Sequence, residues 1–174
     1  VMPTPYLTQL SKLQDSIPAR PIAEVMQTIA EELPAELAQR VLAGLDQNAL
    51  AAASIAQVHK VKLFSEKAMR EERVVALKVQ HRGVDRVMMQ DMWQMDILIR
   101  LIAYFEPNND FRPVVKEWTA EAVKELDFRT EAINLKRVAQ AVTDENGALN
   151  VIVPAVWDEY TTKRVLVMDF GEGF

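Results

Sequence analysis

The chain has 174 residues, about the length of one domain, and 49% of them are apolar, which is enough for a sizeable core. Its 25 acidic and 20 basic residues give a net charge of −5, which argues against a general nucleic-acid binder because such proteins are usually basic. The absence of cysteine excludes disulfide bonds and thiolate zinc sites, and two histidines are a poor basis for a metal centre. No apolar run reaches the roughly 18 residues that a transmembrane helix needs.

Three short helices are predicted in the first 45 residues. Leu7–Asp15 is amphipathic, with leucines at helical spacing. Pro21 is well placed to begin a second helix, Ile22–Leu33, and Pro34 a third, Ala35–Leu45, because the first helical position leaves an N–H unpaired in any case. These helices are either an extension that precedes a separate lobe or an ordinary helical subdomain packed on a sheet.

Three strands are predicted between residues 49 and 80. The stretch 49–63 fits two strands joined by an alanine-rich turn, and the charged stretch 65–73 fits a hairpin loop. The clearest strand is 73–80, where valines and a leucine alternate on one face while Ala76 and Lys78 share the other. Lys78 is then either a solvated edge lysine, which is the usual case, or a lysine that points into a ligand pocket.

A known lysine motif favours the second interpretation of Lys78. The run Val75-Ala76-Leu77-Lys78 differs by one conservative change from the V-A-I-K signature of kinases, whose lysine pairs with the α- and β-phosphates of ATP and with a helix glutamate. The alanine-rich turn then fits a phosphate loop that is stiffer than a glycine-rich one, since alanine tolerates fewer backbone conformations. The loop residues that we assign to nucleotide binding are Ala51, Ala52, Ala53, Ser54 and Gln57.

Two long helices are predicted after the lysine strand. The first, Val84–Phe105, has apolar residues at spacings of three and four, including several methionines. A methionine-rich face suggests promiscuous binding, but core packing is the favoured interpretation of that periodicity. The second helix begins after Asp110 and runs to Val142. Its glutamates, among them Glu121 and Glu125, ordinarily indicate a solvated, salt-bridged face.

Two further strands, Val151–Trp157 and Arg164–Met168, are predicted to complete a five-stranded antiparallel sheet. The triplet Asp169-Phe170-Gly171 spells the metal-binding motif of kinases. That motif follows a catalytic loop in which asparagine stands five positions after aspartate. No aspartate of this chain has asparagine at that spacing. We therefore interpret the triplet as the segment that leaves the last strand.

Four stretches together resemble the UbiB (aarF-domain) family of atypical kinase-like proteins. They are AAASIAQVHKV, VALKVQHRGV, KELDFRTEAINL and RVLVMDFGEG, which begin at residues 51, 75, 124 and 164. The resemblance implies an α+β fold: a protein-kinase-like N-terminal lobe of about five antiparallel strands, with two long inserted helices. Residues 1–47 would form the helical extension, and residues 48–174 the lobe, which would be truncated at the hinge with the C-lobe absent.

The resemblance also assigns site residues. It makes Glu125 the partner of the catalytic Lys78, and Glu131 an acid that lies near the lysine of an upstream Lys-x-Gly-Gln motif. That motif is absent from this chain. Met168 and Phe170 fall at the hinge, where the edge of adenine meets backbone amides.

The implied function is ATP or ADP binding by a lobe whose full-length parent carries out phosphoryl transfer or ATP hydrolysis in ubiquinone or other isoprenoid-lipid metabolism. Mg²⁺ is expected in the parent, with its ligands outside this chain, so this fragment by itself is expected to lack turnover. The family implies a lipid or membrane surface as a partner and a bacterial, mitochondrial or plastid membrane as the location. The alternatives are a non-catalytic helical interaction module and an inactive remnant that binds nucleotide weakly. The sequence indicates no particular oligomeric state.

Overall fold

The computed structural model describes residues 18–64, 72–106, 110–144 and 152–171. These residues form five helices and one antiparallel sheet of four strands in the order β1-β2-β3-β4, which confirms the α+β class. In chain order the elements are α1 (Ile22–Glu32), α2 (Ala35–Gly44), β1 (Leu45–Ala52), β2 (Ala56–Phe64), β3 (Glu72–Gln80), α3 (Val84–Phe105), α4 (Arg112–Glu125), α5 (Phe128–Asp144) and β4 (Val165–Asp169).

The first two described helices begin where the prolines predict. Pro21 precedes α1 and Pro34 precedes α2. Both helices bury one apolar face, which includes Val25, Ile29 and Val41, against the sheet. The helix predicted for residues 7–15 lies outside the described residues. The predicted boundary between residues 47 and 48 falls inside β1, and the helices share one core with the strands.

The sheet has two faces with different neighbours. Val75, Leu77 and Val79 are buried in the core formed with α1 and α2, as predicted from their alternation. On the other face, Ala56 and Leu166 pack against Phe128 and Ala132 of α5. Lys78 alternates with Leu77 and Val79 along β3, so its side chain leaves the sheet on the α5 face.

The fifth strand predicted at residues 151–157 is wrong for the described part of that stretch. It forms a single bridge, between Val156 and Met168, and then enters a 3₁₀ turn at Asp158–Tyr160. Pro154 has no N–H to donate to a strand ladder, which limits regular pairing with β4. Instead the Trp157 indole donates to the Asp169 carboxylate at 2.8 Å.

The prediction of a single second long helix is also wrong, because the helix is interrupted at Leu126 and Asp127, between α4 and α5. At the break, the Asp127 carboxylate accepts a hydrogen bond from the Arg129 N–H at 3.0 Å, as a residue that caps a helix N-terminus does. Leu126 is buried there, and its carbonyl accepts a hydrogen bond from the Gln80 side chain. The break allows α5 to lie against the sheet while α4 packs against α3.

The bounds of α3 agree with the prediction, but the core-packing interpretation of its methionines is wrong. None of the 22 residues of α3 is buried. Met89 and Trp93 are exposed, as are Tyr104 and Phe105 near the end of the helix. Within the described ranges, no helix is long and apolar enough to cross a membrane.

Carboxylates at the end of α1 connect it to the sheet side of the lobe. Glu32 accepts hydrogen bonds from the Thr162 hydroxyl at 2.6 Å and from the Arg164 guanidinium at 2.8 Å. Glu31 contacts Arg82 at 2.7 Å and Arg164 at 3.1 Å. Burial by itself would raise the pKa of Glu32, but these hydrogen bonds hold the pKa below its ordinary value.

Glu32→Gln should lower the free energy of unfolding at pH values above 4.5, the ordinary pKa of the group. A carboxylate with a lowered folded-state pKa stabilises the fold above its unfolded pKa, and the contribution is lost as the pH falls through the folded value. We expect the substitution to cost about 1 kcal/mol near pH 6 and to flatten the decline in stability as the pH falls below 4.5. Urea unfolding at several pH values measures both. Glu36→Gln, at an exposed position of α2, is the control, and an equal effect of the two substitutions would contradict the expectation.

Candidate functional site

Lys78 lies on β3, an inner strand of the sheet, and forms an ion pair with Glu131. Its ammonium donates to both carboxylate oxygens of Glu131, at 2.9 and 2.7 Å. The nitrogen also lies 4.8 Å from the centroid of the Phe128 ring. Since Phe128 and Glu131 are three residues apart on the first turns of α5, they present to the same side of that helix. The ion pair holds the ammonium in place, and the side chain of Lys78 is 23% exposed, so the charge remains accessible to a ligand.

The expected ion pair between Lys78 and Glu125 is wrong, because Glu131 occupies that position. Glu125 is the last residue of α4 and is exposed. Glu131 lies on α5, the helix that packs on the sheet face of Lys78. Glu125 does line the same cavity as Lys78, and its catalytic assignment stays a prediction.

That cavity measures about 710 Å³ and lies between the sheet and helices α4 and α5. Two of its other acidic residues already have basic neighbours: Asp127 binds Arg129 at 2.6 Å, and Glu121 binds Lys124 at 2.6 Å. The hydrogen bonds from Arg129 lower the pKa of Asp127. No cluster of three or more acidic, histidine or cysteine side chains that could hold a metal ion occurs in the described parts of the chain. The side chains that face the cavity and carry charge are Lys78, Glu121, Lys124, Glu125, Asp127 and Glu131.

The alanine-rich turn lies at the Lys78 end of this face. Ala51 and Ala52 end β1, and the turn itself spans Ala53 to Ile55. The Ala53 carbonyl accepts a hydrogen bond from the His81 ring at 2.9 Å, and the His81 N–H donates to the Ile55 carbonyl at 2.9 Å. The turn is therefore anchored to the residue that follows β3, and the stiffness expected from its composition stays a prediction. Ser54 is exposed at its tip.

Gln57 is a correction to the predicted nucleotide contacts. It is 1% exposed, and its cross-strand partner is Val79, so it lies on the sheet face opposite Lys78. Its side chain accepts from the Arg20 N–H at 2.7 Å and donates to the His59 ring at 2.8 Å. The period of two along β2 places Gln57 and His59 in this buried network. The network joins the segment before α1 to the sheet.

The opposite end of the Lys78 face contains the two predicted hinge residues. Met168 pairs with Ala76 across β3 and β4, so it shares a face with Lys78, and Phe170 follows directly after β4. Lys60 is not among the residues predicted for the site, but its ammonium lies on this face, 4.3 Å from the centroid of the Phe170 ring. Alternation along β2 was the available signal, because Lys60 and the cross-strand partner of Lys78 are two residues apart.

Asp169 lies on the other side of the sheet. Its cross-strand partner is Val75, which belongs to the core with α1 and α2. Its carboxylate accepts the hydrogen bond from Trp157. Asp169 and Lys78 therefore leave the sheet on opposite faces, and the interpretation that Asp169-Phe170-Gly171 is not a metal motif stays a prediction.

An antiparallel sheet with a lysine on its third strand, paired with a helix glutamate, defines the N-terminal lobe of a kinase-like protein. A model of the ABC1 atypical kinase-like domain matches residues 12–174, and the chain belongs to this family. The family resemblance inferred from the four sequence stretches is thereby confirmed.

Curated relatives and a solved structure extend the comparison. The chain is 32% identical over 173 residues to AarF domain-containing protein kinase 1 of Xenopus laevis and covers 31% of that protein. It is 30% identical to Protein ACTIVITY OF BC1 COMPLEX KINASE 3, chloroplastic, of Arabidopsis thaliana and covers 23% of it. A structure of Rv3197 with erythromycin, from Mycobacterium tuberculosis, matches with a TM-score of 0.72 at 28% identity, over 98% of this chain and 40% of that one. The chain thus spans about a third or less of the length of the curated relatives.

Proposed function

We propose that the chain binds ATP or ADP as the N-terminal lobe of an atypical kinase or ATPase. The observation that carries the proposal is the ion pair between Lys78 and Glu131 on an accessible sheet face. In protein kinases the corresponding pair must be in place for phosphoryl transfer. Membership of the ABC1 family supports the same assignment.

Each part of the face has a role in this proposal. Lys78 neutralises the phosphates, and Glu131 holds the ammonium in position. The backbone of the Ala51–Ser54 segment lies over the phosphates. Met168 lies on the same face towards the end of β4, where it would contact the base, and Phe170 marks the hinge beside it.

Among the described residues no side chain is assigned as a magnesium ligand, because these residues contain no cluster of three or more acidic, histidine or cysteine side chains that could hold the ion. When bound in the parent protein, Mg²⁺ would neutralise phosphate charge during transfer. This chain's own residues would bind and orient the nucleotide, and we propose that turnover requires parts of the longer protein.

For that longer protein we propose phosphoryl transfer or ATP hydrolysis in ubiquinone or other isoprenoid-lipid metabolism. A lipid or membrane surface is its proposed partner, and a bacterial, mitochondrial or plastid membrane its proposed location. The chloroplastic Arabidopsis relatives support an organellar site. Because the chain covers so little of its relatives, these assignments depend on family membership rather than on residues described above.

Thermal unfolding of the chain with and without Mg–ADP tests nucleotide binding. At a ligand concentration of about one hundred times Kd, binding should raise the unfolding midpoint by roughly 5 to 10 °C. Mg–ATP should act similarly, and Mg²⁺ with sulfate is the control for ionic effects. The same midpoint with and without nucleotide would contradict the proposal. That result would instead favour an interaction module, which the exposed apolar residues of α3 and α4 also suit.

A further inference from the structure

Lys60 and Lys78 are two lysines on one face of the sheet. Val58 is the β2 partner of Lys78, and Lys60 is the partner of Ala76. Cross-strand partners present their side chains to the same side, and so do residues two apart on one strand. The Lys60 row therefore lies roughly 6.6 Å from the Lys78 row along the strand direction.

The direction of this displacement is defined by the ends of the strands. β2 begins at the alanine-rich turn and passes Val58 before Lys60. The row of Lys60 and Ala76 continues to Met168, two residues before Phe170. If the phosphates lie at the turn and Lys78, the nucleoside extends towards Lys60.

The charge of Lys60 has no carboxylate partner within the described ranges, unlike that of its neighbours. Lys78 binds Glu131 at 2.7 Å, and Lys62 lies 3.5 Å from Glu72. The ammonium of Lys60 instead lies over the face of the Phe170 ring, 4.3 Å from its centroid. An aromatic ring attracts an ammonium without using its hydrogen-bond donors, so those donors stay available to a ligand.

We propose that Lys60 is a second nucleotide-binding lysine, which recognises the nucleoside part of the ligand while Lys78 recognises the phosphates. This inference rests on the proposed nucleotide binding. The ammonium has three donors, and adenine nitrogens and ribose oxygens are acceptors at the end of the face where Lys60 lies. Phe170 positions the ammonium at the mouth of the base region.

Calorimetric titration of the chain with Mg–ADP and with inorganic tripolyphosphate separates the two lysines. Tripolyphosphate carries the phosphate charge but no nucleoside. Lys60→Met should raise the Kd of ADP about fivefold and leave that of tripolyphosphate within about twofold, because one hydrogen-bonding cation is lost from the nucleoside end. Lys78→Met should weaken both ligands.

Lys62→Met is the matched control. It removes the same charge from the same strand two residues further on, where the side chain is 68% exposed, and it should leave both affinities unchanged. Lys60→Arg keeps a cation with hydrogen-bond donors and should retain ADP affinity within about twofold. Unfolding midpoints of all variants establish that they fold.

Two results would overturn the role of Lys60 while leaving nucleotide binding intact. One is an ADP affinity that Lys60→Met changes no more than Lys62→Met does. The other is an equal loss for ADP and tripolyphosphate, which would indicate a general charge effect. If the unsubstituted chain binds neither ligand, the proposed function fails and the role of Lys60 fails with it.

Discussion

Lys78→Met should raise the Kd of Mg–ADP by tenfold to a hundredfold. Hydrogen bonds to a charged group contribute about 1.5 to 3 kcal/mol, which is one to two powers of ten in affinity. Lys78 is suited to this role because Glu131 holds its ammonium on an accessible face of the sheet. Methionine keeps most of the apolar length of the side chain, so the substitution mainly removes the charge. Equilibrium titration at constant ionic strength measures the change.

The control separates ligand binding from stability. Lys78→Met leaves the half-buried Glu131 carboxylate without its partner and should therefore destabilise the fold. Adding Glu131→Gln removes that isolated charge, so the double variant should recover stability but not ADP affinity. Wild-type affinity in a folded Lys78→Met protein would contradict the assignment of Lys78 to the phosphates.

Gly44→Ala should destabilise the fold by about 3 kcal/mol, because the helix end and the sheet touch at this residue. A Cβ at Gly44 would lie 2.0 Å from the backbone oxygen of Lys62 and 2.9 Å from its carbonyl carbon. Both atoms belong to β2, so no side-chain rotation relieves the overlap, and either α2 or the strand must move. The free energy of unfolding in urea, compared with that of the wild type, measures the cost.

Gly83→Ala is the comparison, because at Gly83 an added Cβ has space but the backbone conformation is unfavourable for alanine. A Cβ there meets no atom within 4 Å, but the residue has a φ of +73°, a conformation that costs an alanine about 1 kcal/mol. We expect Gly44→Ala to be clearly the more harmful of the two. A smaller loss for Gly44→Ala than for Gly83→Ala would show that α2 moves away from β2 at little cost.

The local chemistry of the sequence was sufficient to predict most elements. Prolines 21 and 34 mark the starts of α1 and α2, and the periodicity of residues 84–105 gives α3 its observed bounds. Alternation along β3 correctly separates the buried valines from Lys78. These features depend on residues close in the sequence, so they can be predicted without knowledge of the tertiary structure.

The predictions that were wrong concern features that depend on contacts between residues distant in the sequence. The family resemblance assigned Glu125 rather than Glu131 as the partner of Lys78, whereas the observed choice depends on which helix packs on the sheet. The break at Leu126 and Asp127 arises in part from a buried leucine and from the carbonyl that Gln80 contacts. Helical periodicity in α3 likewise predicted an apolar face but not whether anything covers it.

The sequence by itself determined the family, the α+β class and the lysine around which the site is built, because motifs and periodicity are properties of neighbouring residues. Only the tertiary structure decided which glutamate binds Lys78, that Gln57 belongs to the opposite face, and that Lys60 lies over Phe170. Those pairings join residues 53 and 110 positions apart, or depend on the register between strands. Packing of the whole chain selects them among many pairs of similar local character.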